Sequence, residues 1–225
     1  MISPLLSNIF LHHVLDEWFA TVVRPRLKGR RTLVRYADDL VMAFEDFLSA
    51  KRALAVLGKR LARYGLTLHP DKTRFIDFRF KRPDGKPHPA TSGTTFDFLG
   101  FTHVWVKSRQ GKSVVRQSTA KSRFARSLAS VSDWCRHNLH LRIAEQQRHL
   151  GQMMQGHYAY YGITGNGRRL RWYAHQVERI WKKWLSRRGQ PGAFQWKRLR
   201  ELLKRHPLPL AKIVHRYAVV SEALP

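Results

Sequence analysis

The sequence predicts an α+β chain, with an antiparallel sheet and helices up to about residue 117 and helices alone beyond it. Three observations predict this. Two runs rich in β-branched and aromatic residues, "TLVRYADDLVMAF" (32–44) and "FDFLGFTHVWVKS" (96–108), have the composition of strands joined by tight turns. Before and between them, apolar residues recur at helical spacing. From Ser118 onward the helical period is the one clear pattern, broken by the turn signals "GITGNG" (162–167) and "RGQPG" (188–192).

The elements follow in order. Leu5, Ile9, Leu11, His12, Leu15, Trp18, Phe19 and Val22 place residues 5–23 on an amphipathic helix, with Ser3 as cap and Pro4 in the first turn. A basic loop, "RPRLKGRR", leads into the first strand, turn and strand. A second helix sets Phe47, Ala50, Leu54, Leu57, Leu61 and Tyr64 on one face and stops at Gly65. A strand is expected in "KTRFIDFRF" (72–80) and a loop in the Pro-, Gly- and Thr-rich stretch 81–95. Strand structure resumes at Phe96, and "SRQGKSVVRQS" turns back at Gln110-Gly111. Helices are then expected at about 119–138, 142–161, 167–188 and 194–205.

Charge narrows the function. The 225 residues hold 42 Lys and Arg against 15 Asp and Glu, a formal charge of +27. A polyanion is the partner this balance implies. The excess is uneven, since residues 1–100 carry 17 basic and 10 acidic side chains and residues 101–225 carry 25 and 5. The second part therefore holds most of the electrostatic footprint. It interleaves aromatics with the charges at Trp172, Tyr173, Trp181, Trp184 and Trp196, either as base-stacking platforms or as helix core. No run nears the ~20 apolar residues of a membrane span and no signal peptide opens the chain, so a cytoplasmic location is expected. One cysteine, Cys135, excludes an internal disulfide and a cysteine-based zinc site.

The residues that carry chemistry sit in the first hairpin. Asp38 and Asp39 lie side by side between two apolar strands. Aspartate is favoured in turns for its own backbone hydrogen bonds, which is one reading. The other is a cation site, because ionised carboxylates between buried strands must be paired, hydrated or bound to metal. Mg²⁺ suits such a pair, since it takes hard oxygen ligands through one or two carboxylates together with substrate phosphates.

The surroundings favour the second reading. "YADD" (36–39) between apolar strands resembles the metal-binding hairpin of reverse transcriptases, and neighbouring segments are similar to that family in the same order. These are "ISPLLSNIFLHHVLDEWF", "GLTLHPDKTRFIDF" with Lys72, and "FDFLGF". In the second part, "GHYAYYGITGN", "VERIWKKWLSRRGQ" and "LLKRHPLPLAKIVH" resemble the thumb and maturase region of group II intron reverse transcriptases.

The resemblance implies a partial reverse transcriptase palm over 1–117 and an all-helical thumb and maturase domain over 118–225. It implies Asp38 and Asp39 as catalytic ligands of a two-metal Mg²⁺ site. Lys72 would lie near the incoming triphosphate, or else be a solvated surface lysine. Phe98, Leu99 and Gly100 would support the primer end, although Phe98 and Leu99 are equally suited to core. Arg168, Arg169, Arg171, Lys182, Lys183, Arg187 and Arg188 would contact nucleic acid. The partners implied are intron RNA and an RNA template/DNA primer duplex, with RNA splicing as the maturase role.

The family pattern begins ahead of "ISPLL", with finger strands, a first catalytic aspartate and a Pro-Gln-Gly-Gly stretch. Asp16 and Glu17 sit on the expected helix, which is the wrong place to replace that aspartate. The 225 residues by themselves are therefore expected not to polymerise DNA, and Met1 could be an internal codon of a longer reading frame. Two alternatives stand beside this one: a non-catalytic intron RNA-binding splicing factor, and a reverse transcriptase relative working outside introns.

Overall fold

The computed structural model describes residues 3–78, 95–108, 110–188 and 194–216. It is mixed helix and antiparallel sheet, as expected, and divides into two compact units, Met1–Thr94 and Thr95–Pro225.

The first unit opens with α1 (Ser3–Leu11), which continues through two π-helical turns, His12–Asp16 and Phe19–Val23, into the short α2 (Arg24–Arg26). The first of these turns has a side-chain partner: Arg60 Nε donates to the Val14 carbonyl at 3.1 Å. Val14, Leu15, Trp18, Phe19 and Val23 form one side of the core. Ala53, Leu57 and Leu61 of α3 (Phe47–Ala62) form the other. The Asp46 side chain caps α3 by accepting the Ser49 N–H at 2.7 Å. At the far end Leu66 N–H reaches the Leu61 carbonyl while Gly65 takes φ +69°, a Schellman ending.

Strands β1 (Arg31–Tyr36) and β2 (Asp39–Phe44) pair antiparallel with Tyr36 opposite Asp39. The strand expected at 72–80 does not form over its described part, where residues 73–78 are irregular. The β1–β2 sheet has two strands, and no third strand pairs with it among the described residues. Phe75 instead packs edge-on against Phe47 with ring centroids 5.4 Å apart. The loop expected at 81–95 lies outside the described residues except for Thr95.

The second unit holds a three-stranded antiparallel sheet of β3 (Phe96–Phe98), β4 (Phe101–Lys107) and β5 (Ser113–Thr119). Four helices follow: α4 (Lys121–His137), α5 (Ile143–Tyr161), α6 (Gly167–Leu185) and α7 (Trp196–Arg205). Each begins within two residues of its sequence expectation. Val131, Leu150, Met154, Tyr158, Leu170, Tyr173, Val177 and Trp181 make the centre of their core. Cys135 is buried there, and burial pushes its thiol up to about 12, so the thiolate is not formed at neutral pH.

The compact division precedes the three strands, whereas the sequence places a boundary near residue 117. The reason is a polar lock between sheet and helices. Asn166, at the start of α6, accepts the Thr119 N–H at 3.1 Å and donates to Thr119 Oγ1 at 2.9 Å and to the Tyr161 carbonyl at 2.8 Å. Asn166→Ala leaves the buried Thr119 N–H unpartnered, while the Tyr161 carbonyl keeps the Ile163 N–H, and is expected to cost about 2 kcal/mol. Urea unfolding of the full chain followed by circular dichroism measures this, and a midpoint equal to wild type would contradict the lock.

The stretch 207–215 runs as a strap over α5. Gln147 Nε2 donates to the Pro207 carbonyl at 2.7 Å, and the Val214 and His215 N–H groups both donate to the Gly162 carbonyl. A Cβ at Gly162 would lie 3.0 Å from Val214 Cγ2 and 3.1 Å from the Lys212 carbonyl oxygen, so glycine is needed for this close approach. Two stretches read separately in the sequence, "YYGITGN" and "PLPLAKIVH", thus meet.

Candidate active-site hairpin and nucleic-acid interface

Because Tyr36 pairs with Asp39, the β1–β2 turn has two central residues, Ala37 and Asp38. Ala37 has φ +54°, a left-handed conformation that costs a side-chain-bearing residue about 1–2 kcal/mol. Arg35 helps hold it. Its guanidinium donates to the Ala37 carbonyl at 2.8 Å, to Asn8 Oδ1 at 3.0 Å and to both oxygens of Asp16, the shortest at 2.7 Å. The turn is therefore tied to the opening helix through one largely buried arginine. Arg35 holds the Asp16 carboxyl below the usual carboxylate range, against the opposing effect of partial burial. Asp16 is thus engaged in positioning the hairpin, and Glu17 is bonded to His13 at 2.9 Å.

Asp38 and Asp39 are both exposed, and neither carboxylate makes a hydrogen bond or ion pair among the described residues. That donor set suits a Mg²⁺ ion completing its sphere with water and substrate phosphate. It does not suit an all-protein cage, and no group of three or more His, Cys, Asp or Glu able to hold a metal occurs among the described residues. Lys72 is exposed beside a turn in which the Thr73 N–H reaches the His69 carbonyl, and no hydrogen bond joins it to the aspartates.

In the second unit Phe98 pairs with Phe101, so Leu99 and Gly100 are the two turn residues, with φ +49° and +77°. Positive φ at both positions is the hallmark of a type I′ hairpin. The tip is held from α5: Tyr160 Oη donates to the Leu99 carbonyl at 2.9 Å and its ring stacks on Phe101, while a Cβ at Gly100 would come 3.0 Å from Tyr161 Oη.

The basic residues singled out in the sequence separate into two groups. Arg169 lies over the Phe124 ring, Lys182 over Trp196, and Lys183 and Arg187 over Trp184. Arg188 reaches the Leu139 and Leu141 carbonyls. Arg168 and Arg171 stand exposed on α6. The aromatics divide as well, since Tyr173, Trp181 and Trp184 are core whereas Trp172 and Trp196 are exposed.

Sequence reasoning passed over Arg35, Tyr160 and the α6 residues His175 and Arg179. Arg35 has a legible signal: with strand period two it shares the inward face with Leu33. Tyr160 has none, because its partner is a backbone carbonyl 61 positions away.

The site is thus a hairpin that presents two exposed carboxylates and is tied to the opening helix through Arg35. Residues 1–103 match the reverse transcriptase (RNA-dependent DNA polymerase) family. No curated protein matches the chain. Among the described residues no helix is long and apolar enough to cross a membrane.

Proposed function

We propose that the chain is a reverse transcriptase of the group II intron type, with a maturase role in RNA splicing carried by its basic helical unit. The observation that carries this is the exposed, unpartnered Asp38-Asp39 pair on a strained hairpin, inside the segment that matches the reverse transcriptase family. Asp38 and Asp39 would hold Mg²⁺, which supplies activation of an attacking hydroxyl and stabilisation of the leaving phosphate oxygen. Arg35 fixes the turn that presents them. Lys72 would contact the incoming nucleotide, and the Leu99-Gly100 tip the primer end. The partners are intron RNA and an RNA template/DNA primer duplex.

The sharper charge excess after residue 100 favours RNA binding that does not depend on the aspartates. Affinity for structured RNA is expected to fall steeply with rising salt and to be the same in Asp38→Ala. Binding insensitive to salt, or abolished in Asp38→Ala, would remove the maturase half of the proposal. Primer extension on an RNA template is the parallel readout: if extension occurs it should vanish in Asp38→Ala, and persistence there would remove the polymerase half.

A further inference from the structure

Helix α6 has a core face and an outer face, and the outer face is unusual in composition. Its exposed residues are Arg168, Arg171, Trp172, His175, Arg179 and Lys183. At 100° per residue these six fall within an arc of about 120°, and at 1.5 Å per residue they extend over about 22 Å. No acidic residue is among them, and no ion pair involves them among the described residues. Leu170, Tyr173, Val177 and Trp181 occupy the opposite, buried side.

Trp172 decides what this face is for. Helix formers such as Lys, Gln or Glu would solubilise it, yet it holds an indole 48% exposed, tilted against the His175 ring at 5.9 Å. A single exposed indole among cations does not suit a membrane surface, which needs a row of apolar side chains to enter the lipid. It suits a strand of nucleic acid, whose phosphates meet the cations and whose unstacked base lies on the ring. A duplex keeps its bases inside the stack and leaves the indole without a partner.

We infer that the outer face of α6 is a binding track for single-stranded RNA, with Arg168, Arg171, Arg179 and Lys183 on phosphates and Trp172 as the platform for one base. The inference rests on the RNA-binding reading above and assigns it a location and a strand type. The neighbouring cations Arg169 and Lys182 are half-buried against aromatic rings of the unit itself, and Arg187 lies beyond the end of α6, so these three fall outside the track; Lys183 also lies over a ring, that of Trp184, but stays exposed on the outer face.

The test uses the full chain and a labelled oligouridylate of about 15 nucleotides, within the site sizes known for strand-binding proteins. Fluorescence anisotropy is followed across a salt series. Trp172→Ala is expected to weaken binding roughly tenfold without changing the salt slope, and Trp172→Phe to restore part of it. Replacing Arg168, Arg171, Arg179 and Lys183 together by Gln should lower the slope by up to about 3, near 0.7 per contact. The matched control replaces Arg148, Arg200, Lys204 and Arg205, which are also exposed. Its slope should stay close to wild type. Blunt duplex RNA of equal length should be indifferent to Trp172→Ala. Wild-type affinity in Trp172→Ala, or equal losses from the two quadruple variants, would overturn the track while leaving RNA binding intact. Failure of the wild-type chain to bind RNA at all would overturn both.

Discussion

Trp181→Ala is expected to destabilise the helical unit by about 3–5 kcal/mol, the largest effect of any single truncation considered for this chain. The indole is 0% exposed and sits at the centre of the core formed by α4, α5 and α6. Its removal opens a cavity that the surrounding helices fill only in part. It also strands a polar group, because the Trp181 Nε1–H donates to Gln146 Oε1 at 2.9 Å. Gln146 is itself buried and donates through Nε2 to the Asn138 and Leu141 carbonyls, which organises the turn between α4 and α5. Trp181→Phe separates the two terms, since it keeps most of the volume and loses only the hydrogen bond. It should cost about 1–3 kcal/mol through the unpaired acceptor. Urea unfolding by far-ultraviolet circular dichroism measures both, and a loss under about 1 kcal/mol for Trp181→Ala would mean that the core closes around the gap.

The second large effect is a dependence on pH set by His157. This side chain is 7% exposed, stacks on Tyr173 with centroids 3.7 Å apart, and faces the Ser127 hydroxyl at 3.3 Å through Nδ1. Its Nε2 is buried without a hydrogen-bond partner. Burial pushes its pKa down from 6.5 to about 4, because a charged imidazolium would lose its hydration among aromatic rings. The unfolded chain therefore takes up a proton near pH 6.5 while the folded chain resists until about pH 4. Stability is level above that window, falls as pH drops through it, and levels again below, for a total of about 3 kcal/mol. His157→Phe keeps a ring against Tyr173 and removes the titration. Unfolding free energies measured from pH 7.5 to 4 should fall in wild type and run flatter in His157→Phe. Parallel curves would show that another group carries the acid limb.

The helices of the second unit were legible because their signal is local. Apolar residues every three or four positions, with glycine and asparagine between the stretches, are enough to mark each helix to within a turn. The first hairpin was legible for the same reason: β-branched runs flank a short polar centre. The strand expected at 72–80 shows the limit of such patterns. "KTRFIDFRF" has strand composition, yet its described part, residues 73–78, joins neither sheet, because composition alone does not place a segment in a ladder.

The candidate site divides along the same line. That two aspartates sit at the tip of a hairpin is a statement about neighbours in sequence, and it was readable. That Asp16 is tied to Arg35, rather than available beside the aspartates, depends on a contact across 19 positions. The fate of each α6 tryptophan depends on the rotational phase of that helix against α4 and α5, which turns Trp181 inward and Trp172 outward. The sequence by itself determined the α+β class, the order of elements, the place of the aspartate pair and the basic character of the second part. Only the tertiary structure decided which cations are spent on the protein's own aromatic rings and which form an outer face. Period and composition are encoded along the chain, whereas packing partners are chosen by surfaces that meet only after it folds.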